Sequence, residues 1–318
     1  MNTAKARATS ATPAAMLLRR VLAQRTKPSD ARQQLARRVK SRVASRDREV
    51  ADRFGRLLEN VSGLGSCVLA LSGGIDSSLV LAVAAPLLQD RCLAVTADSV
   101  AVPEWDRTDA RAAADAVRGY GTGRRAIATG EIDDPRYAGN SRSRCYFCKL
   151  EMCSALVEIA RSDGYAWLID GTNASDAERD DRPGMAAGRE LGVRSPLAEA
   201  GITKADVRIL ARALGLPDPD RPASACLASR IPFGVPITPQ RLRRVEAAEL
   251  ALRSLGFRQV RVRDFGARAR VEVEPGEMET VALHRPFIDA RLRELGFTDW
   301  ETQPYAGTGA GDSTDAAS

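Results

Sequence analysis

The segment Ser72-Gly73-Gly74-Ile75-Asp76-Ser77-Ser78 constrains this chain more than any other. It follows a short apolar run, Cys67 to Leu71, that reads as a buried strand. It precedes Ser77 to Leu88, which is apolar with helical spacing. Two glycines let the backbone turn sharply and approach a ligand with no Cβ in the way. The helix that follows offers unpaired N–H groups and the positive end of its dipole. Ser72, Ser77 and Ser78 add hydroxyl donors, and Asp76 adds a carboxylate suited to Mg²⁺ beside a phosphate. No lysine is present, so this is not the GxxxxGK[ST] loop of kinases and GTPases. A serine-capped tight turn is the bland alternative. A lone SGG would deserve it; the full string between strand and helix points to phosphate binding.

The pattern continues as alternating strand and helix. Strands are expected at Cys92 to Thr96, Arg125 to Thr129 and Ala166 to Asp170, with a short fifth starting at Val193. Helices are expected at Glu104 to Val117, at Cys145 to Arg161, and at Lys204 to Leu214, the last capped by Thr203 and ended by Gly215. This alternation implies an α/β fold, a parallel sheet with helices on both faces. Ligands of such sheets lie beyond the carboxyl ends of the strands. Asp170-Gly171-Thr172-Asn173-Ala174-Ser175-Asp176 follows the fourth strand and suits that position, with an Asn/Asp-rich turn as the alternative. Lys204 and Arg208, four residues apart on a helix, read equally well as a solvated face.

Six prolines between Leu216 and Pro239 exclude a helix or central strand there and suggest an ordered loop between two domains. A helix (Gln240 to Leu255), two alternating strands (Gln259 to Asp264 and Arg268 to Glu274), one or two helices and a last strand near Trp300 make a small α+β domain. The expected division is 1–47, a disordered basic extension; 48–222, the α/β domain that carries the SGGIDSS loop; 223–304, the small domain with the Cys226 loop; and 305–318, a disordered tail. A transit peptide is the alternative reading of the extension. Residues 1–47 carry twelve basic residues against Asp30 and Asp47, so of the total charge of +6 the remaining chain holds −4. A body that tracked a nucleic-acid backbone would carry its own basic stripe, so nucleic acid is not the expected partner. No apolar run approaches the roughly 18 residues of a membrane span, and no secretory h-region is present. Six cysteines in 318 residues are not a disulfide framework, which points to a reducing cytoplasm.

Cys226, in Ala225-Cys226-Leu227-Ala228-Ser229-Arg230-Ile231-Pro232, sits in the proline-rich loop with Arg230 close enough in sequence to support a thiolate. A buried structural cysteine is the alternative. Cys145 and Cys148 form a CxxC at a helix start. A zinc site there is short of ligands, because His284 is the only histidine. Plain helix cysteines, or a [4Fe–4S] cluster shared by Cys145, Cys148 and Cys226, remain as readings. On the strand near Gln259, Arg261 and Arg263 share a face, an arrangement suited to phosphate, or a solvated basic edge.

The SGGIDSS string resembles the signature of the PP-loop ATP pyrophosphatases, whose HUP-like domain binds ATP and transfers AMP to substrate oxygen. The resemblance implies that Ser72, Gly73, Gly74, Asp76, Ser77 and Ser78, with Gly171, Thr172 and Asn173, contact ATP or its Mg²⁺, and that Asp176 joins Asp76 at the metal. Asp170–Asn173, Arg182-Pro183-Gly184, Gly192–Leu197 and Ala225–Pro232 together are similar to the LarE family of sulfur transferases, over roughly residues 50 to 300. That resemblance implies adenylation of a carboxylate of a pyridinium dicarboxylate mononucleotide, attack by Cys226, and transfer of its sulfur. It places a substrate-phosphate site at Glu249, Arg261 and Arg263. Some similar proteins carry three active-site cysteines and use a cluster, so Cys145, Cys148 and Cys226 keep both sulfur sources open. A tRNA-thiolating PP-loop enzyme is the alternative. The expected partners are a small-molecule mononucleotide and further copies of the chain, with no membrane.

Overall fold

The computed structural model describes residues 27–43, 47–177 and 183–306. The expectations for residues 1–26 and 307–318, and for Arg182, lie outside these. Four parallel strands form the first sheet: β1 (Cys67–Ala70), β2 (Cys92–Asp98), β3 (Gly123–Ala128) and β4 (Trp167–Ile169), in the order β3-β2-β1-β4. Alternate side chains divide between two faces, as strand geometry requires. Cys67, Leu69, Cys92 and Ala94 join one apolar cluster. That cluster also takes the helices α1 (Pro28–Arg42), α2 (Arg48–Ser62), α3 (Ile75–Leu88) and α4 (Glu104–Ala116). Val68, Leu93, Val95 and Leu168 face the other way, onto Cys153, Leu156 and Ala160 of α5 (Arg144–Ser162). Helices therefore cover both faces.

Helix α6 (Pro183–Glu190) packs on α5, and α7 (Lys204–Leu214) packs on α1 and α3. Thr203 closes α7 with a reciprocal capping box through Asp206, and Gly215, at φ 75°, ends it. The expected fifth strand reduces to a single parallel bridge, Ile169 to Arg194. Gly192 in the left-handed region precedes it and Pro196 starts a helical turn two residues later, so the extended stretch has no room to grow.

Residues 28–42 correct the expectation of a disordered extension. They form α1, whose Ala31, Leu35 and Val39 recur every four residues and lie buried in the main core. After the proline-rich loop come α8 (Pro239–Arg253), β5 (Val260–Phe265), β6 (Arg268–Val273), α9 (Met278–Leu283), α10 (Arg285–Glu294) and β7 (Asp299–Pro304). β5 pairs antiparallel and β7 parallel with β6, around a separate core that includes Leu252, Val262, Val271 and Ile288. A third cluster joins Ala101 and Tyr137 of the first unit to Leu227, Ala228 and Ile231 and to Leu242 and Val245 of α8. The Cys226 loop is thus packed between the two cores. No helix of the described residues is long and apolar enough to cross a membrane.

Candidate active site

The strand order reverses between β1 and β4, and the loops that leave these two neighbours meet there. Gly73 adopts φ 82°, and a methyl at this position would run into the Asp106 carbonyl oxygen. Gly74 begins α3, and its N–H donates to Ser72 Oγ at 3.3 Å. Ser77 Oγ lies 3.1 Å from Ser72 Oγ and donates to the Gly74 carbonyl at 3.2 Å. The first-turn N–H groups of α3 point out of this cradle, as any helix start requires. Gly171 is packed tightly too: an added Cβ would lie 2.6 Å from the Ser77 nitrogen. The loop after β4 therefore rests directly on the start of α3.

Asp76 binds that second loop. It accepts from Asn173 Nδ2 at 3.0 Å and from Lys204 Nζ. Asn173, 1% exposed, also donates to Asp176 Oδ2 at 2.6 Å, so one amide holds both carboxylates named for Mg²⁺. Two aspartates beside a phosphate cradle are a hard oxygen set that fits Mg²⁺ held jointly with ATP phosphates. Asp170 accepts from Thr172 N and Oγ1, both at 3.0 Å, from Ser195 Oγ at 2.8 Å and from Lys149 Nζ at 3.1 Å. Burial opposes its ionisation, but Lys149 and these donors outweigh it and hold the carboxyl below the usual range. Lys149 is half-buried; burial disfavours its charge, but Asp170 keeps its ammonium above the ordinary value.

A cavity of about 350 Å³ connects these parts. Ser72, Asp76, Ser77, Thr172 and Asp176 line one part, the carboxyl end of β2 (Val95 to Ala97) another, and Cys226 borders it as well. Of the expected ATP residues, Ser72, Asp76, Ser77, Gly171 and Thr172 thus share one space with Cys226, while Gly74 and the buried Asn173 line neither cavity. Gly73 and Ser78 face a second cavity on the other side of the loop.

Arg230 is 3% exposed and Glu249 fully buried. The guanidinium donates to both Glu249 oxygens, at 2.7 and 2.9 Å, and to the carbonyls of Ala225 and Cys226 at 2.8 and 3.2 Å. Among the described residues, its hydrogen bonds hold the backbone of the cysteine and none reaches the sulfur. Glu249 also accepts from the Val262 N–H at 3.0 Å. This corrects its assignment to a substrate phosphate: a carboxylate with both oxygens committed repels an anion and here braces the Cys226 loop. Arg263 donates to Glu272 at 2.5 Å. Arg261 is buried against the Tyr305 ring at 4.6 Å, with Nε and Nη2 lacking acceptors. None of Glu249, Arg261 and Arg263 lines either cavity.

The Cys148 thiol lies near enough to both Cys226 and Cys145 to feel their charge. Cys145 is exposed, and Cys148 and Cys226 are half-buried against the third cluster. No group of three or more His, Cys, Asp or Glu side chains among the described residues is placed to hold a metal ion. Burial, then Cys226, Glu131 and Cys145, push the Cys148 thiol far above its ordinary pKa, so it stays protonated at neutral pH.

Several side chains escaped the sequence reading. Lys149 stands one helical turn after Cys145, and that spacing was its only signal. Arg221 pairs with Asp106 and Asp109 and donates to the Gly73 carbonyl at 3.3 Å, tying the proline-rich loop to the phosphate loop. No local pattern announces it.

A strand, the SGGIDSS turn and a helix, with a second strand-end loop seated on that turn, define an ATP-using enzyme of the PP-loop class. A family model described as NAD synthase matches residues 52–121. The chain is 34% identical over 249 residues to pyridinium-3,5-bisthiocarboxylic acid mononucleotide synthase of Lactiplantibacillus plantarum, covering 78% of this chain and 89% of that protein. It is 43% identical to the uncharacterized protein slr1717 of Synechocystis sp., over 68% of this chain and 79% of the relative. It is 29% identical to the uncharacterized protein MJ0830 of Methanocaldococcus jannaschii, over 72% and 86%. The chain belongs to the LarE family of the PP-loop ATP pyrophosphatases.

Proposed function

We propose that this enzyme adenylates a carboxylate of a pyridinium dicarboxylate mononucleotide and replaces its activated oxygen with sulfur from Cys226, as a step in making the nickel-pincer cofactor of lactate racemase. The observation that carries this reading is the single cavity bordered by the phosphate loop, Asp76 and Cys226.

The cradle of Ser72 to Ser78 and the α3 N-terminus would hold the pyrophosphate portion of ATP, and Asp76 and Asp176 would hold a Mg²⁺ that offsets its charge. The substrate carboxylate attacks the α-phosphorus, pyrophosphate leaves, and an acyl adenylate forms. AMP is then a good leaving group, which a free carboxylate lacks. The Cys226 thiolate attacks the acyl carbon, AMP departs and a thioester results. Removal of the Cys226 α-proton expels the thiocarboxylate by β-elimination and leaves dehydroalanine in the chain. Arg230 and Glu249 fix the backbone on either side of Cys226, which orients its Cα–H and Cβ–S bonds for both steps.

Purified protein is incubated with ATP, Mg²⁺ and the dicarboxylate mononucleotide, and pyrophosphate and peptide masses are measured. Wild type is expected to release pyrophosphate, form thiocarboxylate and lose the elements of H₂S from Cys226. Cys226→Ala is expected to release pyrophosphate without forming thiocarboxylate. Thiocarboxylate formation by Cys226→Ala, or an unaltered Cys226 after turnover, would overturn the assignment.

A further inference from the structure

The reaction cavity is acidic. Asp76, Asp106, Asp170 and Asp176 lie on its wall, and among the described residues Lys149 is the one cation that lines it. The space must nonetheless receive ATP and a second anion, the substrate carboxylate. The arginines of the Cys226 loop do not supply the charge. Arg221 pairs with Asp106 and Asp109, Arg230 pairs with Glu249, and neither lines this cavity.

Lys149 is held in place along its whole length. It stands in the second turn of α5, where α6 passes it with two glycines one turn apart. An added Cβ on Gly184 would lie 3.6 Å from the Lys149 Cβ, and one on Gly188 would lie 3.9 Å from its Cε. Helix α6 thus presents bare backbone to the aliphatic stem. At the other end, Nζ donates to Asp170 Oδ2 at 3.1 Å, and Asp170 is itself fixed by Thr172 and Ser195. An ammonium carries three protons and accepts nothing. Asp170 takes one, and Nζ makes no other hydrogen bond among the described residues. The side chain keeps 26% exposure, so its free donors open onto the cavity. Burial alone would drain its charge, and Asp170 outweighs burial, so the group acts as a fixed cation and not as a base.

Adenylation brings two anions together. A carboxylate oxygen bonds to the α-phosphorus, the bond from that phosphorus to the pyrophosphate oxygen breaks, and pyrophosphate leaves with the electron pair. A preorganised cation aimed at such a centre lowers the barrier by stabilising charge as it builds. We infer that Lys149 is a catalytic residue of the adenylation step: its ammonium donates to the substrate carboxylate and the α-phosphoryl oxygens as they meet, keeps its protons throughout, and is positioned by Asp170, Gly184 and Gly188. The inference rests on the function proposed above and adds a residue to it.

Single-turnover pyrophosphate release at saturating ATP–Mg²⁺ and dicarboxylate mononucleotide tests it, with ATP–Mg²⁺ affinity by calorimetry and the melting transition measured on the same samples. The proteins are wild type, Lys149→Met, Lys149→Arg, and Lys149→Met combined with Asp170→Asn. Methionine keeps most of the stem and removes the charge; the second substitution removes the carboxylate left without its partner. Lys149→Met is expected to release pyrophosphate about 100- to 1000-fold more slowly, the usual loss for one preorganised donor at a developing charge, while binding ATP–Mg²⁺ nearly as wild type does. Lys149→Arg keeps the charge and should recover part of the rate. The double variant should regain the melting temperature lost by Lys149→Met and stay slow. An ion pair with a structural role alone predicts the reverse, a rate that returns with stability. Pyrophosphate release by Lys149→Met at the wild-type rate, recovery of that rate in the double variant, or a loss confined to ATP–Mg²⁺ affinity would each overturn the inference and leave the proposed function standing. A wild type that binds ATP–Mg²⁺ but releases no pyrophosphate with the mononucleotide would remove both.

Discussion

Replacing Arg230 by methionine separates two roles that its position permits, bracing the Cys226 loop or activating the Cys226 thiolate. The side chain is 3% exposed and its partner Glu249 is fully buried. Removing one member of such a pair leaves an uncompensated charge in the interior and costs about 3–5 kcal/mol. Methionine keeps the stem volume, so the loss is electrostatic and hydrogen-bonding, including the carbonyls of Ala225 and Cys226. At about 2–4 °C per kcal/mol for a chain of this size class, the melting temperature should fall by about 6–20 °C. Glu249→Gln added to Arg230→Met removes the stranded charge while its amide oxygen can still accept from the Val262 N–H. The double variant should therefore recover about 2–3 kcal/mol relative to Arg230→Met, a coupling within the usual range for contacting residues.

The assay is urea unfolding by circular dichroism, paired with the rate at which iodoacetamide alkylates Cys226. A brace predicts that Arg230→Met is destabilised and that Cys226 alkylates faster as its loop loosens. Thiolate activation predicts slower alkylation at nearly unchanged stability. A stability loss below about 1 kcal/mol, or a double variant less stable than Arg230→Met, would refute the reasoning from the buried pair.

Other expectations follow from the same geometry. Gly171→Ala sets a methyl 2.6 Å from the Ser77 backbone nitrogen and should weaken ATP binding by at least about tenfold, measured by calorimetry, because the loop must lift from the α3 start. The Asp170 carboxyl is held below its unfolded pKa, so it contributes stability above about pH 4 that disappears as pH falls through the lower folded value. Urea midpoints across pH 2–6 should show that dependence in wild type and a reduced slope in Asp170→Asn. Lys149 shifts upward, so its contribution is present below its ordinary value near pH 10 and fades only above that. Iodoacetamide mapping at pH 8 should label exposed Cys145 first and Cys148 slowest of the pair, because burial and neighbouring groups keep the Cys148 thiol protonated; equal rates would count against that environment.

The parallel sheet was legible in the sequence because each layer repeats a local signal. β1 and β2 are short apolar runs followed by turns, α7 is announced by Thr203 and Gly215, and β5 and β6 alternate. The Ser72–Ser78 turn was legible because its glycines and serines are contiguous. α1 was not, because its charge masked an apolar stripe of only three residues, Ala31, Leu35 and Val39. The polar pairs of the site were the least legible part. Lys204 read as a solvated face, yet its partner Asp76 lies 128 residues earlier. Arg221 reaches Asp106 across 115 residues, and Glu249 meets Arg230 across 19. Backbone periodicity specifies which face a residue occupies and not which charge waits there. An Arg or Glu in sequence is therefore compatible with a solvated edge, a ligand contact or an internal brace, and only the position of the opposite charge decides among them. Glu249 shows the consequence. The family resemblance, with two strand arginines nearby in sequence, suggested a substrate-phosphate site there. The two oxygens it gives to Arg230, with the backbone bond from Val262, make it the anchor that ties the C-terminal core to the Cys226 loop.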